Sequence, residues 1–352
     1  MLFKKKKDIV GIDIGSSAVK VVQLRESKGI YYLVNLGVSP LPSEAIVDNS
    51  LMDPGVVSDT IRKLLESMKI KSKGAATSIS GHSVIIRKIQ LPIMTEEEVD
   101  SSIQFEAEQY IPFDVSEVNL DFQIIGPDPK DPSQMNVVLV AAKRDYVDDY
   151  ISVLQDAGLN PAVLDVDCFA VENMFEAGYG FEEGQVVSLI DMGATALSVN
   201  ILKSGVSVFT RDIQGGGELI NEELQKRLGL SSEDAELAKL GSEVEGTDPR
   251  SVAEVVSDAV ENLAQEVQRS VDFFSATATH DRVDKVFVTG GASKSPGLKE
   301  ALERRLKLPI DFIDTFRGVV VKEDDFDADY LKEIGPLMSV ATGLAMRRVG
   351  DK

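Results

Sequence analysis

One local sequence pattern occurs twice in this chain, and it restricts the possible fold more than any other feature. Residues 8–38 read DIVGIDIGSSAVKVVQLRESKGIYYLVNLGV, and residues 186–214 read VVSLIDMGATALSVNILKSGVSVFTRDIQ. Each copy runs strand, Asp-x-Gly-x-Ser/Thr, strand, turn and strand, with the apolar alternation typical of antiparallel hairpins. Because self-similarity of this length rarely arises by chance, a repeat at a separation of about 180 residues predicts two related lobes.

The segments around the two copies predict an α/β fold with one inserted unit. The chain has 352 residues. Because domains cluster near ~100 to 150 residues, a chain of this length is expected to form more than one. A helix and a buried strand follow the first copy and complete a mixed sheet. A strand, a helix, two hairpin-connected strands and a helix then form a separate αβ unit. The predicted first lobe comprises residues 1–82, about 160–184 and 335–352, the inserted subdomain residues 83–159, and the second lobe residues 185–334.

Each copy of the repeated pattern contains a tight turn whose residue types favour phosphate binding. Glycine lets the backbone approach a phosphate, and adjacent N–H and hydroxyl groups donate to its oxygens. Two such turns facing each other would hold a polyphosphate, with the aspartates binding Mg²⁺ through water or orienting an attacking water. One such turn alone is a weak signal, because it more often marks an ordinary hairpin. The candidates are Asp13, Gly15, Ser16, Ser17 and Lys20 in the first copy, and Asp191, Gly193, Ala194 and Thr195 in the second; Asp13 and Asp191 are the catalytic and metal-binding candidates.

Three groups in the second lobe are candidates for the remaining part of a ligand. A glycine pair after an apolar strand admits a flat ring or a phosphate, although any strand-to-helix turn has this composition. A glycine run precedes another helix. A glutamate and a lysine three residues apart face one side of a predicted helix, where they would flank a ribose and adenine or form a solvated ion pair. These residues are Gly290, Gly291 and Ser293, then Gly215 and Gly216, then Glu236 and Lys239.

Composition excludes several functional classes. The formal net charge of −21 argues against sequence-independent nucleic-acid binding, which needs a basic surface. Cys168 is the only cysteine, so we expect neither an intramolecular disulfide nor a thiolate-rich metal site, and a reducing cytoplasm fits. No continuous apolar stretch of the sequence approaches the length of ~20 residues that a helix needs to span a bilayer. The run Lys4–Lys7 either contacts an anionic membrane surface or is a solvated leader.

Taken in order, the two hairpins and the VTGGAS turn resemble the two phosphate motifs and the adenosine motif of the actin, Hsp70 and sugar-kinase superfamily. The resemblance covers most of the chain and implies a two-lobed actin-like or Hsp70-like ATPase fold built from duplicated ribonuclease-H-like domains. It implies ATP with Mg²⁺ between the lobes, held by the hairpin residues and by the second-lobe candidates named above. Gly335 and residues 342–345 (TGLA) are similar to the closing helix near the hinge of that fold.

The inserted unit indicates which branch of this superfamily the chain resembles. It is similar to the subdomain shared by the cell-division protein FtsA and the PilM family of type IV pilus assembly proteins, and EAEQYIPFD at 106–114 resembles a PilM motif. We expect an FtsA-like filament-forming protein to continue into an amphipathic membrane helix, whereas this sequence stops soon after TGLAMRRVGDK. A small-molecule kinase of the superfamily needs a substrate base and a sugar pocket, and neither has a clear candidate among these residues.

Membership of the PilM family would imply a scaffold rather than an efficient enzyme. The family binds the cytoplasmic N-terminal segment of PilN at the cytoplasmic face of the bacterial inner membrane, together with other inner-membrane components of the pilus, and is peripheral to the membrane through its partner. ATP hydrolysis would be weak at most, and self-association is left open. An extended peptide would suit a groove between the first lobe and the insertion. The apolar residues offered there are Ile103, Phe105, Tyr110, Ile111 and Phe113, with core packing as the alternative.

Overall fold

The computed structural model describes residues 9–128, 130–278, 281–322 and 324–351. The lysines at 4–7 lie outside these residues. The first part of the chain forms an antiparallel meander, a short hairpin, a helix and a further strand: β1 (Ile9–Ile14), β2 (Ala18–Ser27), β3 (Ile30–Pro40), β4 (Ile46–Val47), β5 (Ser50–Leu51), α1 (Pro54–Ser67) and β6 (Gly74–Ile79).

The inserted segment follows directly. Its elements are β7 (Val84–Pro92), α2 (Glu96–Ala107), β8 (Val118–Pro127), β9 (Gln134–Lys143) and α3 (Arg144–Asp156). The predicted N-cap of α2 is confirmed, because the hydroxyl of Thr95 accepts the N–H of Glu98 at 3.3 Å while the Glu98 carboxylate accepts the N–H of Thr95 at 2.7 Å. This reciprocal capping fixes where the helix begins. The three strands form their own sheet in the order β7-β9-β8.

The chain then returns to the first sheet and continues into the second copy. The remaining elements are β10 (Asn160–Val166), α4 (Asp167–Tyr179), β11 (Val186–Met192), β12 (Ala196–Lys203), β13 (Val206–Gln214), α5 (Gly217–Leu228), α6 (Ser232–Lys239), α7 (Pro249–Thr277), β14 (Lys285–Thr289), α8 (Leu298–Leu306), β15 (Ile310–Phe312), β16 (Val319–Val320), α9 (Ala328–Ile334) and α10 (Ser339–Met346). None of the helices in the described ranges is long and apolar enough to cross a membrane.

The two large sheets repeat one topology. The first has the order β10-β6-β1-β2-β3-β16, and the second has the order β13-β12-β11-β14-β15. In each sheet the three strands of the meander are antiparallel. The two strands on the other side of the first meander strand, β6 and β10 in one sheet and β14 and β15 in the other, are parallel to that strand. Read from the third meander strand, the order β3-β2-β1-β6-β10 corresponds strand for strand to β13-β12-β11-β14-β15. The duplication predicted from the sequence is therefore present in the fold.

Two helices pack between the sheets and hold them together. A Cβ at Gly343 of α10 would overlap the carbonyl of Ala170 on α4, and a Cβ at Gly11 of β1 would overlap the carbonyl of Ala341 on α10. Both glycines are therefore needed for this close approach. One apolar core joins residues from both halves around these helices, including Ile9, Phe175, Leu189 and Leu344.

The helix α3 differs from the sequence prediction in where it packs. It was predicted within the inserted subdomain at 83–159, but its buried face joins the core of the first sheet together with α1. Arg62 of α1 also donates to the carbonyl of Asp156 at 2.8 Å. The sheet β7-β9-β8 and α2 have a separate core. We therefore propose that the inserted unit ends near Lys143, and that β16, which pairs with β3, belongs with the first lobe.

Candidate functional site

The two repeated hairpins meet at their turns. Each turn is closed in the same way, by the N–H of Gly15 donating to Ala18 at 3.1 Å and the N–H of Gly193 donating to Ala196 at 2.9 Å. Across the gap between the sheets, the hydroxyl of Thr195 donates to the hydroxyl of Ser16 at 2.9 Å. The structure thus brings the two predicted phosphate turns into direct contact.

A buried ion pair lies beside the first turn. The ammonium of Lys20 lies 3.1 Å from the carboxylate of Asp13, and each side chain is 13% exposed. A Cβ at Gly15 would come within 2.5 Å of the Lys20 Nζ atom, so glycine at this position leaves room for the ammonium. Ser17 is exposed, and its carbonyl accepts the N–H of Leu41 at 2.9 Å. Lys20 therefore lies beside the first turn, paired with Asp13, whereas Ser17 lies at the outer margin of this turn.

The second turn carries an acid without an equivalent cation opposite it. Asp13 is paired across the strands with Lys20, and at the corresponding position Asp191 is paired with Ser198. Burial raises the pKa of Asp191 to about 7, with further contributions from the negative charges of Asp13 and Asp167. Burial also raises the pKa of Asp13, but Lys20 opposes this effect. The duplicated positions therefore differ in charge, and the second would gain most from a bound cation.

The described part of the chain contains no cluster of side chains that could bind a metal ion directly. Within those ranges no three histidine, cysteine, aspartate or glutamate side chains are grouped so that they could hold an ion. Asp13, which is buried, and Asp191, which is partly exposed, fit instead a metal held through water, since Mg²⁺ retains several waters when bound by one or two carboxylates. Coordination of Mg²⁺ by Asp13 and Asp191 stays a prediction.

Two acids near the turns were missed by the sequence reasoning. Asp167 is the first residue of α4, and its charge raises the pKa of both Asp13 and Asp191. Asp212 on β13 accepts the N–H of Gly81 at 2.8 Å, which ties the second sheet to the start of the inserted segment. Asp167 follows the carboxyl end of a parallel strand, where ligands commonly bind. That strand-to-helix position was the one available sequence signal.

The glycine run at 215–217 packs the start of α5 onto the second turn. The N–H of Gly215 donates to Thr195, that of Gly217 donates to Gly193, and that of Glu218 donates to Ala194, at 2.8, 3.0 and 2.8 Å. A Cβ at Gly216 would overlap the carbonyls of Gly193 and Ala194. The predicted close packing at this junction is observed, and its glycines lie against Gly193, Ala194 and Thr195.

The predicted pair on α6 lies beside the same junction. The Lys239 ammonium forms an ion pair with Glu236, and the Lys239 side chain is 9% exposed while that of Glu236 is 49% exposed. A Cβ at Gly217 would lie 3.3 Å from the Lys239 Nζ atom. Asn221 of α5, another residue that the sequence reasoning missed, donates to Glu236 at 2.8 Å. The pair is therefore built into the site rather than fully solvated.

The turn after β14 lies next to Asp191 and to the start of α5, among the other candidate residues. Gly290 has a φ of 89°, and a Cβ there would overlap the carboxylate of Asp191. A Cβ at Gly217 would lie 3.2 Å from the Cβ of Ala292, so this turn also touches the start of α5. The Ser293 hydroxyl is buried and donates to the carbonyl of Gly290 at 2.6 Å. Ser293 therefore stabilises the turn through its side chain.

The predicted closing segment packs behind the turn at residues 290–293. The carbonyl of Gly335 accepts the hydroxyl of Thr315 at 2.7 Å, and the N–H of Gly290 donates to the carbonyl of Pro336 at 3.0 Å. Residues 342–345 are buried in α10, between the sheets. A Cβ added at Gly291 would lie 3.7 Å from the side chain of Leu337. This segment supports the 290–293 turn from behind.

A separate cavity of about 300 Å³ lies between strand edges of the two large sheets and the inserted sheet. The outermost strands β7 and β13 and the end of β10 form its walls. Its lining includes Thr195 of the second turn, Asp212, and Ile86 and Arg87 of β7. The cavity therefore connects the phosphate end of the candidate site with the inserted sheet.

The apolar residues predicted on the insertion divide into two groups. Ile103 and Ile111 are buried at 5% and 7% exposure and belong to the core of the insertion. Phe113 packs partly against the same core. Phe105 and Tyr110 are 70% and 37% exposed. Core packing explains the first group, and only the second is available to a partner.

The arrangement as a whole suits a nucleoside triphosphate with a divalent cation. Hydroxyl and N–H donors, one ammonium and two acids surround the junction of the turns, which is the chemistry that polyphosphate and its metal require. A glycine turn, a half-exposed carboxylate and a second ammonium follow on one side, where a nucleoside would extend. All the predicted site residues lie in or beside this one region.

A family model described as "Type IV pilus assembly protein PilM" matches residues 11–349. Among curated proteins, the cell division protein FtsA of Streptococcus pneumoniae serotype 2 is 21% identical over 336 residues, which cover 82% of this chain and 72% of FtsA.

Solved structures give the same result at the level of the fold. A PilM-PilN type IV pilus biogenesis complex has a chain with a TM-score of 0.87 and 28% identity, covering 98% of this chain and 99% of that chain. MreB5 of Spiroplasma citri, solved with bound AMPPNP, has a TM-score of 0.51 and 13% identity, covering 95% and 94%. The predicted actin-like fold is confirmed.

Proposed function

The chain belongs to the type IV pilus assembly protein PilM family, and we propose that it is an ATP-binding scaffold that binds the cytoplasmic N-terminal segment of PilN. The observation that carries the proposal is the similarity to the chain of the PilM-PilN complex over 98% of this chain. We further propose that the scaffold works at the cytoplasmic face of the inner membrane, held there by PilN and by other inner-membrane components of the pilus. Self-association is compatible with this role.

ATP is the ligand that the candidate site supports. The Ser16–Thr195 contact joins the two turns, so phosphate groups bound there would contact both lobes. Lys20 would bind a phosphate oxygen, and the 290–293 turn with Glu236 and Lys239 would hold the nucleoside. Mg²⁺, held through water by Asp13 and Asp191, would neutralise phosphate charge. Binding to both lobes gives a nucleotide the means to change the population of lobe arrangements.

Hydrolysis is proposed to be weak at most. Burial raises the pKa of Asp191 to about 7, and in the proposed site this carboxylate holds the cation through water rather than taking a proton from an attacking water. A bound metal ion would stabilise the ionised carboxylate of Asp191, and this carboxylate would then help to hold the ion. This chemistry suits a protein whose nucleotide state matters more than its turnover.

The PilN segment is proposed to bind in the 300 Å³ cavity. An extended peptide can add to the outer edge of a sheet through its backbone and place alternate side chains in pockets. The outermost strand β7 offers such an edge, and the partly exposed side chain of Ile86 lines the cavity without belonging to the core of the insertion. Since Thr195 lines the same cavity, the peptide would lie next to the phosphate end of the nucleotide.

A titration with cavity variants tests the proposed function. A synthetic PilN N-terminal peptide is titrated into the full chain in a calorimeter, together with Ile86→Asp and the matched control Ile30→Asp, whose isoleucine is 47% exposed on β3. We expect micromolar binding to the unchanged chain and to the control, and at least tenfold weaker binding to Ile86→Asp because an ionised carboxylate would be desolvated. Equal affinity for all three would reject the cavity, and no binding to any would reject the PilN role.

A further inference from the structure

One end of the first sheet carries an inference that rests on the proposed location at the inner membrane. The amino ends of three parallel strands meet there, because Ile9 of β1 pairs with Gly74 of β6, and Asn160 of β10 pairs with the same glycine. Asp13 and the first phosphate turn lie at the other end of β1. This end of the sheet therefore faces away from the candidate nucleotide site.

Two connecting segments flank the start of β1 at this end. On one side, β2 and β3 continue past it and form the end of their hairpin at residues 25–30. On the other side, residues 68–73 connect α1 to β6, and the carbonyl of Lys73 accepts the N–H of Asn160 at 2.6 Å. Adjacent strands are ~4.8 Å apart, so β2 and β6 bring the two segments to one edge of the lobe.

These segments are basic and carry little compensating charge. The single acid within them, Glu26, lies 2.5 Å from the guanidinium of Arg348. Five exposed side chains form what we call the basic edge, and among the residues that the structure describes none of the five has a carboxylate partner. They are Arg25, Lys28, Lys69, Lys71 and Lys73. The edge is thus positively charged although the chain as a whole is acidic.

The second lobe shows that the fold does not require this charge. Beside the turn of the equivalent hairpin, the ammonium of Lys203 is neutralised by Asp281 at 2.6 Å. Glu182 and Glu183 precede β11, and Asp284 precedes β14, the strand equivalent to β6. The corresponding edges of two sheets with the same topology therefore differ in charge. The basic edge is a property of the first lobe alone.

The chain adds further basic and apolar residues at the same edge. β1 begins at Ile9, so chain length keeps the lysines at 4–7 within about 18 Å of this strand, at ~3.5 Å per residue. Leu2 and Phe3 precede them in the sequence. At the end of the hairpin, Ile30 is 47% exposed. Basic side chains accompanied by a few apolar ones suit the interface of an anionic bilayer, where they meet phosphate headgroups and the acyl boundary.

We propose that the basic edge binds anionic phospholipid headgroups and thereby orients the first lobe on the membrane. Each basic residue near an anionic surface strengthens binding about fivefold. Charges farther away than the Debye length, about 8 Å at physiological ionic strength, are largely screened. The net charge of −21 therefore does not prevent the contact. With this edge on the membrane, the phosphate turns at the other end of the sheet face solvent.

Sedimentation of the full chain with vesicles, in the absence of PilN, tests the proposal. Vesicles of phosphatidylcholine alone are compared with vesicles containing about one third phosphatidylglycerol, at about 0.1 M salt. We expect binding only to the anionic vesicles, and its loss at about 0.5 M salt. Replacing Lys69, Lys71 and Lys73 together by glutamine should weaken this binding at least tenfold. The matched control replaces three exposed lysines elsewhere by glutamine and should bind as the unchanged chain does: Lys88, Lys130 and Lys226.

A second variant separates the basic edge from the segment that precedes β1. Removal of residues 1–7 should weaken vesicle binding and leave its dependence on the three edge lysines intact. The proposal is overturned if the unchanged chain fails to bind anionic vesicles, as it would if the edge binds an acidic protein instead. It is also overturned if both vesicle types bind equally, or if the edge variant binds as well as the control. The edge variant should keep the affinity of the unchanged chain for the PilN peptide, so failure of the proposed function is measured separately.

Discussion

Replacing Asp191 by asparagine should stabilise the ligand-free chain while weakening its binding of Mg-ATP. Burial raises the pKa of Asp191 from 3.8 to about 7, so the folded chain holds a proton that the unfolded chain releases. An acid whose pKa is raised by folding reduces stability progressively as pH rises from its unfolded to its folded pKa. At about 1.4 kcal/mol for each unit of pKa, the full difference corresponds to about 4 kcal/mol above pH 7.

The expected effect is smaller than that limit because Asp191 keeps partial contact with solvent. We expect Asp191→Asn to exceed the unchanged chain in free energy of unfolding by about 2 kcal/mol at pH 8, and by less at pH 5, with the gain developing between pH 4 and 7. Urea unfolding followed by circular dichroism at pH 5, 6, 7 and 8 measures this. The control is Asp100→Asn, an exposed site on α2, which should show no such trend.

The same variant loses the acid that would help to hold Mg²⁺. Mg-ATP affinity measured at pH 8 should therefore fall by about tenfold, since a charge-assisted contact contributes about 1.5 to 3 kcal/mol. Greater stability with weaker ligand binding is the pattern expected of a residue kept for function. If the variant is less stable than the unchanged chain at pH 8, or binds Mg-ATP equally well, Asp191 does not have the proposed role.

Three further predictions concern separate parts of the structure. Lys20→Met should lower ATP affinity about tenfold by calorimetry, and an unchanged affinity would remove Lys20 from the site. Gly343→Ala should cost about 1 to 3 kcal/mol in urea unfolding, because its methyl group would meet the carbonyl of Ala170; no loss would contradict the helix contact. Asp212→Ala should reduce the effect of ATP on PilN peptide affinity, since it breaks the bond to Gly81, and an unaltered effect would exclude this coupling.

The repeated hairpins allowed the core of the fold to be predicted from sequence. Strand alternation and the two Asp-x-Gly turns are local signals, and they led to the duplicated sheet order and to turns that meet at Ser16 and Thr195. The glycines at 216 and 290 were also recognisable, because close backbone approach requires glycine whatever its partner. Local pattern thus identified both lobes and most of the candidate site.

The contacts that local pattern could not supply are those made between distant segments. The apolar stripe of α3 shows that it packs, but not whether its partner is α1 or the inserted sheet, and the pairing of β16 with β3 joins residues far apart in the chain. Asn221 and Asp167 carried no motif, since their roles depend on Glu236 and on the acids that folding places beside them. Corresponding positions in the two hairpins also differ, with Lys20 in one and Ser198 in the other.

The proposed role of this chain requires that it binds a PilN segment and that nucleotide alters that binding. The most direct test is the dissociation constant of the PilN N-terminal peptide for the unchanged full chain, measured by calorimetry with and without saturating Mg-ATP. We expect binding in both conditions, with dissociation constants that differ by about 5-fold to 150-fold, the range typical of coupled sites. Equal constants would contradict the coupling, and no detectable heat of binding at high micromolar peptide in either condition would contradict the scaffold itself.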